Sequence, residues 1–140
     1  MTGNAIVFPA FAQFALTFAV LIAMGPARSK SMREKKHAFK DIALGEDIWS
    51  TQATKLANNY KNQFEMPVAF YAVCAFALIT RNADATMIGL AWGFVAARMV
   101  HAFVHIGPNV VPVRGAVFLA SVLVVAAMWV LLVLRVAQAD

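Results

Sequence analysis

The sequence contains few charged residues and a single cysteine. Asp, Glu, Lys and Arg together make up 14% of its 140 residues, and Cys74 has no second cysteine with which to pair. A disulfide framework is therefore excluded. Hydrophobic residues account for 61% of the chain and the mean hydropathy is +0.69, whereas soluble domains contain roughly 45–50% apolar residues. This excess predicts a single domain, residues 1–140, that lies in a membrane.

The basic residues are unevenly distributed along the chain. Eight of the twelve Lys and Arg residues lie between Arg28 and Lys61, in the one long polar segment. Such clustering beside apolar segments is the positive-inside signal of membrane proteins. No stretch resembles a nucleic-acid-binding module. The net charge of +5 is therefore ascribed to membrane topology, and no nucleic-acid partner is expected.

Four apolar segments are long enough to cross a bilayer as helices. The first has twenty residues without a charge, about 30 Å of helix, and Gly25 and Pro26 are expected to end it. Residues 1–4 lack the Lys or Arg of a signal-peptide n-region, so this segment is expected to be a membrane anchor. The predicted spans are residues 5–24, 60–80, 83–106 and 114–135.

The connections between the segments predict how they are arranged. The last three segments are joined by short turns, at Arg81–Asn82 and at residues 107–112. Short turns make consecutive helices antiparallel neighbours, so the expected fold class is all-α, an integral membrane antiparallel four-helix bundle. The basic loop of residues 25–59 is expected in the cytoplasm, which places both termini outside.

Polar residues interrupt the second and third segments near the same, cytoplasmic end. A charge inside a membrane costs at least about 2.5–3.5 kcal/mol on insertion scales, so these side chains are expected to face the bundle interior or a cavity. Arg98, about 12 Å from its helix end, is predicted to pair with Glu65. Pro67 is expected to bend the second helix because it removes one backbone hydrogen bond. The side chains predicted to converge are Lys61, Asn62, Glu65, Arg98, His101, His105 and Arg114.

Two interpretations of this cluster remain open. A buried Glu–Arg pair and histidines on one helix face can serve only to fix the packing of the helices. The same groups can instead bind a ligand. His101 and His105, four residues apart, are spaced so that both could bind a metal. No Cys, Asp or third His lies nearby, so no metal site is predicted.

Two stretches, NNYKNQFEMPVAFYA and RMVHAFVHIGPNVVPVRG, resemble the MAPEG family, the membrane-associated proteins of eicosanoid and glutathione metabolism. A third, DIALGEDIW, is similar to a bacterial branch of that family. The resemblance covers essentially the whole chain. It implies a homotrimer of four-helix subunits in the bacterial inner membrane, with glutathione bound between adjacent subunits near the cytoplasmic face.

The resemblance also implies roles for individual residues. Glu65 is expected to hold the amino end of glutathione, and Arg114 to be the catalytic residue that stabilises its thiolate. Lowering a thiol pKa by about two units needs roughly 2.7 kcal/mol, and one charge-assisted hydrogen bond supplies about 1.5–3 kcal/mol, so Arg114 alone suffices. The expected binding residues are Asn62, Glu65, Arg98, Lys61, His101 and His105.

The activity implied is that of a membrane-bound glutathione transferase. Glutathione, or another low-molecular-weight thiol, is expected as co-substrate for thiolate addition to lipophilic electrophiles or for reduction of lipid hydroperoxides. Lys55 and Asn58 stand where the eicosanoid enzymes carry arginines, which disfavours an eicosanoid substrate. The alternative is a non-catalytic lipid-binding or accessory subunit of the same fold, since the family includes a non-enzymatic member. Membrane lipid and a lipophilic small molecule are the expected partners.

Overall fold

The computed structural model describes residues 3–45 and 48–139. Residues 46 and 47 of the DIALGEDIW stretch, and the two ends of the predicted 1–140 domain, lie outside the described residues. The described part is all-α, with short 3-10 turns at Gly3–Ile6 and Phe39–Ile42. Its helices are α1 (Val7–Lys35), α2 (Thr51–Asn62), α3 (Met66–Ile79), α4 (Ala85–Ile106) and α5 (Val111–Ala139).

Within the described residues, four helical segments are long and apolar enough to cross a membrane. They confirm the predicted all-α membrane bundle, with α2 and α3 together forming the second segment. The chain is therefore a multi-pass membrane protein. The four segments are Asn4–Lys35, Thr51–Ile79, Ala85–Ile106 and Val111–Gln138.

The first helix extends further than the sequence suggested. The expectation that Gly25 and Pro26 end it was wrong, because α1 continues through Pro26 to Lys35. Most of the residues beyond Pro26 favour helix, and Ser31 is buried where its hydroxyl accepts a 2.7 Å hydrogen bond from the Ser50 N–H. The helix ends only at Lys35, and the next residue, Lys36, has a left-handed φ of 55°.

The second segment is broken rather than bent. Helix α2 ends at Asn62 and α3 begins at Met66. Glu65 lies in the break, with φ −90° and ψ −102°. Pro67 occupies the first turn of α3, where its missing N–H removes no helical hydrogen bond. The expectation that Pro67 bends a continuous helix was therefore wrong, because the helix is interrupted before Pro67 is reached.

The bundle core is apolar at its centre and polar toward α2. Phe70 and Phe94 stack with ring centroids 4.3 Å apart, and both are fully buried. Near the break, three buried amides form a chain that we call the amide ladder. Gln13 Nε2 donates to Gln63 Oε1 at 2.9 Å, and Gln63 Nε2 donates to Asn59 Oδ1 at 3.0 Å. The ladder joins α1 to the end of α2, a contact the sequence analysis did not anticipate.

A second polar contact closes the opposite end of the bundle. Asp84 caps α4, since its Oδ1 accepts a 2.9 Å hydrogen bond from the Met87 N–H. The Arg135 guanidinium, from α5, donates to both Asp84 carboxylate oxygens at 2.9 and 2.8 Å. Hydrogen bonds from Arg135 and then from the Met87 N–H hold the pKa of the Asp84 carboxyl below its ordinary value of 3.8.

Candidate functional site

A polar cleft lies where α4 ends and α5 begins. It has a volume of about 300 Å³ and is bounded by α2, α4, α5 and the residues that precede α2. Its position is the end of the bundle where the sequence predicted a converging set of polar groups. The side chains that line it are Trp49, Thr51, Thr54, Lys55, Asn58, His105, Asn109 and Arg114.

Two cations of the polar cleft are held by the turn between α4 and α5. Lys55 Nζ donates a 2.8 Å hydrogen bond to the carbonyl oxygen of Gly107. Arg114 Nη1 donates a 2.6 Å hydrogen bond to Asn109 Oδ1. Each cation keeps further N–H groups, because an ammonium has three donors and a guanidinium five. The polar cleft is therefore suited to an anionic ligand.

His105 supplies a buried polar atom beside these cations. The residue is only 8% exposed, and it lines the polar cleft together with Arg114. Its Nδ1 has no hydrogen-bond partner among the described residues. A buried polar atom without a partner costs about 1–3 kcal/mol. His105 thus places a buried ring nitrogen without a partner beside the cationic cleft.

Trp49 closes the side of the polar cleft that faces α1. The Arg28 guanidinium lies 4.9 Å from the centre of the Trp49 ring, a cation–π contact. Lys35 Nζ donates to the Trp49 carbonyl oxygen at 3.0 Å. Two basic residues of α1 therefore fix this wall, rather than serving topology alone as the sequence analysis assumed.

A line of polar residues leads from the polar cleft toward the break in the second segment. Asn58 lines the polar cleft, and Asn62 lies one turn further along the same face of α2. The Asn62 side-chain amide donates to the Glu65 carboxylate. Asn58, Asn62 and Glu65 thus form a polar track of two amides and a carboxylate.

Arg98 and His101 lie inside the bundle rather than in the polar cleft. They are 0% and 3% exposed, respectively. Arg98 Nη2 donates a 3.0 Å hydrogen bond to the Asn62 carbonyl oxygen. The His101 ring packs against Phe118 with centroids 5.7 Å apart. Arg98 therefore contacts the track from behind, through the backbone of α2, whereas His101 packs against α5.

The predicted Glu65–Arg98 ion pair is not formed. Glu65 is exposed on the outer surface of the chain, as is Lys61, and Asn62 is half-buried. The expectation that Glu65 faces the interior of its own bundle was wrong. It assumed a continuous helix, whereas α2 ends at Asn62, so Glu65 no longer follows the face that carries Asn58.

Lys55, Asn109 and Trp49 are lining residues of the polar cleft that the sequence analysis did not assign to the site. Lys55 could have been found, because it precedes Asn62 by seven residues, two helical turns on one face. Asn109 carried a weaker signal, since it comes just after the Gly107–Pro108 pair of a predicted turn. No sequence signal pointed to Trp49, because it lies before the first residue of α2 and so outside any helical periodicity.

Comparison with known proteins gives one match. The sequence model of the MAPEG family matches residues 6–134, which include every residue that lines the polar cleft. No curated protein and no solved structure matches the chain significantly.

Proposed function

Because the chain belongs to the MAPEG family, we propose that it is a membrane-bound thiol transferase of the glutathione-transferase type. Its substrates are a low-molecular-weight peptide thiol and a lipophilic electrophile or lipid hydroperoxide. The observation that carries this proposal is the polar cleft, where Lys55, Arg114 and the buried His105 meet. Glutathione is the thiol that the family commonly uses.

The residues of the polar cleft suit an anionic peptide thiol. Lys55 offers a cation to a carboxylate, and Arg114 offers a guanidinium to the sulfur. At the far end of the track, the Glu65 carboxylate is available for a cationic amino group. When bound, glutathione supplies a thiolate that adds to an electrophilic carbon. For hydroperoxide reduction, the bound molecule and a second glutathione are oxidised to the disulfide as the hydroperoxide is reduced to an alcohol and water.

Arg114 is the group we assign to catalysis. A cysteine-type thiol ionises with a pKa near 8.5, and the thiolate is the nucleophile. A charge-assisted hydrogen bond of about 1.5–3 kcal/mol lowers that pKa by roughly one to two units. A nearby guanidinium therefore makes the thiolate a major species at neutral pH.

The exposure of Glu65 supports assembly into the homotrimer that the family resemblance implies. Glu65 lies within the candidate span Thr51–Ile79, yet its side chain is exposed on the single chain. An ionised carboxylate that faces lipid is costly. A neighbouring subunit that covers Glu65 and gives it a polar or cationic partner offsets this cost, and it places the bound thiol between subunits. We place the polar cleft on the cytoplasmic side of the membrane.

Thiol binding by the purified protein tests this function. Calorimetric titration of the protein in detergent with glutathione should show binding, and ultraviolet absorbance should show the bound thiol ionised at neutral pH. S-methylglutathione is the matched control, because it keeps the peptide but cannot form a thiolate. Lys55→Ala should weaken binding of both ligands, because each carries the same carboxylates.

Absence of binding and of thiol-dependent turnover would refute the transferase assignment. The non-catalytic alternative, a lipid-binding or accessory subunit, then takes its place. Specific lipid retained by the purified protein, and lost when the lining of the polar cleft is changed, would support that alternative.

A further inference from the structure

Asn109 has an unusual backbone conformation at the edge of the polar cleft. It lies in the turn between α4 and α5 with φ 53°, in the left-handed region. Its N–H donates a 2.7 Å hydrogen bond to the carbonyl oxygen of Val104, which closes the end of α4. Asparagine tolerates this conformation better than most residues. The turn therefore fixes the backbone position from which the Asn109 side chain extends.

The Asn109 side chain contacts the residue that we assign to catalysis. Its Oδ1 accepts the 2.6 Å hydrogen bond from Arg114 Nη1, and both side chains line the polar cleft. The same turn is tied to α2, because Lys55 Nζ donates to the Gly107 carbonyl oxygen at 2.8 Å. The acceptor of the Arg114 guanidinium therefore stands on a turn that is held from two sides.

We propose that Asn109 is a positioning residue, whose amide oxygen fixes the Arg114 guanidinium at the wall of the polar cleft. One N–H of Arg114 is engaged, and the remaining donors are left for the anionic sulfur of the ligand. The acceptor is a neutral amide, so it orients the guanidinium without compensating its charge. This inference rests on the proposed function and names a second residue on which thiol ionisation depends.

Two substitutions separate positioning from a structural role in the turn. Asn109→Gly keeps access to positive φ and removes only the side chain. Asn109→Asp keeps the shape and the acceptor, but its charge competes with the thiolate for Arg114. A structural asparagine would be replaced successfully by both residues. As a control, Asn82→Ala changes an asparagine in the turn at the opposite end of the bundle.

The first measurement is the ionisation of bound glutathione as a function of pH, monitored by ultraviolet absorbance. We expect the thiolate-to-thiol ratio at neutral pH to fall at least about threefold in Asn109→Gly, which is about half a pKa unit, and further in Asn109→Asp. The kcat should fall in parallel, while Asn82→Ala matches wild type. If glutathione binds and its ionisation is unchanged in both Asn109 variants, the inference is overturned and the proposed function stands.

The second measurement does not require a bound thiol. Phenylglyoxal modification of arginines, with peptide mass spectrometry as the readout, reports how freely Arg114 moves. We expect Arg114 to react several-fold faster in Asn109→Gly, with the exposed Arg81 as an internal reference that keeps its rate. Faster modification without any thiol binding supports the contact and refutes the proposed function. An unchanged rate at Arg114 overturns the inference whether or not thiol binds.

Discussion

Arg98 donates a 3.0 Å hydrogen bond from Nη2 to the backbone carbonyl oxygen of Asn62, 36 positions earlier in the chain. The buried guanidinium is thus tied to the end of a helix and not to a carboxylate. The same carbonyl otherwise accepts only a long, 3.4 Å hydrogen bond from the Glu65 N–H, because α2 ends at Asn62 and the last carbonyls of a helix lack their usual partners four residues on. The break ahead of Pro67 therefore creates the acceptor that holds Arg98.

This contact changes what is expected of Glu65. Glu65→Gln should lower the free energy of unfolding of the single chain, in which Glu65 is exposed, by no more than about 1 kcal/mol, because an amide oxygen can still accept from Asn62. A double-mutant cycle with Arg98→Met should give a coupling energy below about 0.5 kcal/mol. Thermal and denaturant unfolding in detergent measure both. A buried ion pair would instead show a loss of about 3–5 kcal/mol when one partner is removed.

The overall bundle could be predicted because membrane spans depend on length and charge, which the sequence gives directly. The ends of the helices could not. Whether Pro26 ends a helix depends on the residues after it, which here favour helix and include a serine buried against Ser50. Whether Pro67 bends or breaks a helix depends on which groups can bond to the freed backbone, and Arg98 was not recognised as one of them.

The candidate site was predicted in part for a similar reason. His105 and Arg114 were identified from spacing and family resemblance, and the structure brings both to the polar cleft. Glu65 was assigned the wrong direction because helical periodicity was extended across a break. Asn109 was missed because its role depends on the left-handed backbone of one turn, a property that no periodicity reveals.

The amide ladder should contribute measurably to the packing of α1. Gln63→Met removes both ladder hydrogen bonds and leaves the buried amides of Gln13 and Asn59 unpaired. We expect a loss of about 1–3 kcal/mol in the free energy of unfolding. Gln13→Met removes one bond and should cost less. The exposed Gln52 provides the control, since Gln52→Met should change stability by less than about 0.5 kcal/mol.

Comparable losses for Gln63→Met and Gln52→Met would contradict this account of the ladder. Hydrogen bonds between membrane helices can contribute as little as about 0.6 kcal/mol. The two variants should therefore be compared by denaturant unfolding in the same detergent, so that a difference of this size can be resolved.

The Asp84–Arg135 contact should make stability depend on pH in acid. The folded pKa of Asp84 is lowered, so its contribution is fully present above the ordinary value of 3.8 and is lost as pH falls through the folded pKa. The contribution should stay below about 1 kcal/mol, because the Asp84 side chain is 51% exposed. Asp84→Asn keeps the helix cap and removes the charge. The Tm difference between wild type and this variant should therefore shrink below about pH 4; a constant difference would exclude the charged contact.

Membrane topology can be measured with single cysteines. In a Cys74→Ala background, Ser29→Cys and Gln138→Cys place thiols at exposed positions of α1 and α5. The basic residues around Ser29 predict that it faces the cytoplasm, whereas Gln138 should face outside. A membrane-impermeant maleimide should label the two positions from opposite sides of sealed vesicles. Labelling from the same side would reverse the assignment of the polar cleft to the cytoplasm.

The substitution Arg114→Lys tests whether the guanidinium itself stabilises the thiolate or whether any positive charge at this position is sufficient. A lysine keeps the positive charge, but it lacks the planar fork that reaches Asn109 Oδ1 and the ligand together. We expect expression and assembly to be unchanged, and kcat/KM for conjugation of a model electrophile to fall at least about tenfold, a transition-state loss of about 1.4 kcal/mol. The thiolate fraction of bound glutathione should fall in parallel. Arg81→Lys, a matched change at the opposite end of the bundle, should leave both quantities at their wild-type values. An Arg114→Lys protein that conjugates as well as wild type would show that the guanidinium does not stabilise the thiolate, and the catalytic assignment of Arg114 would then fail.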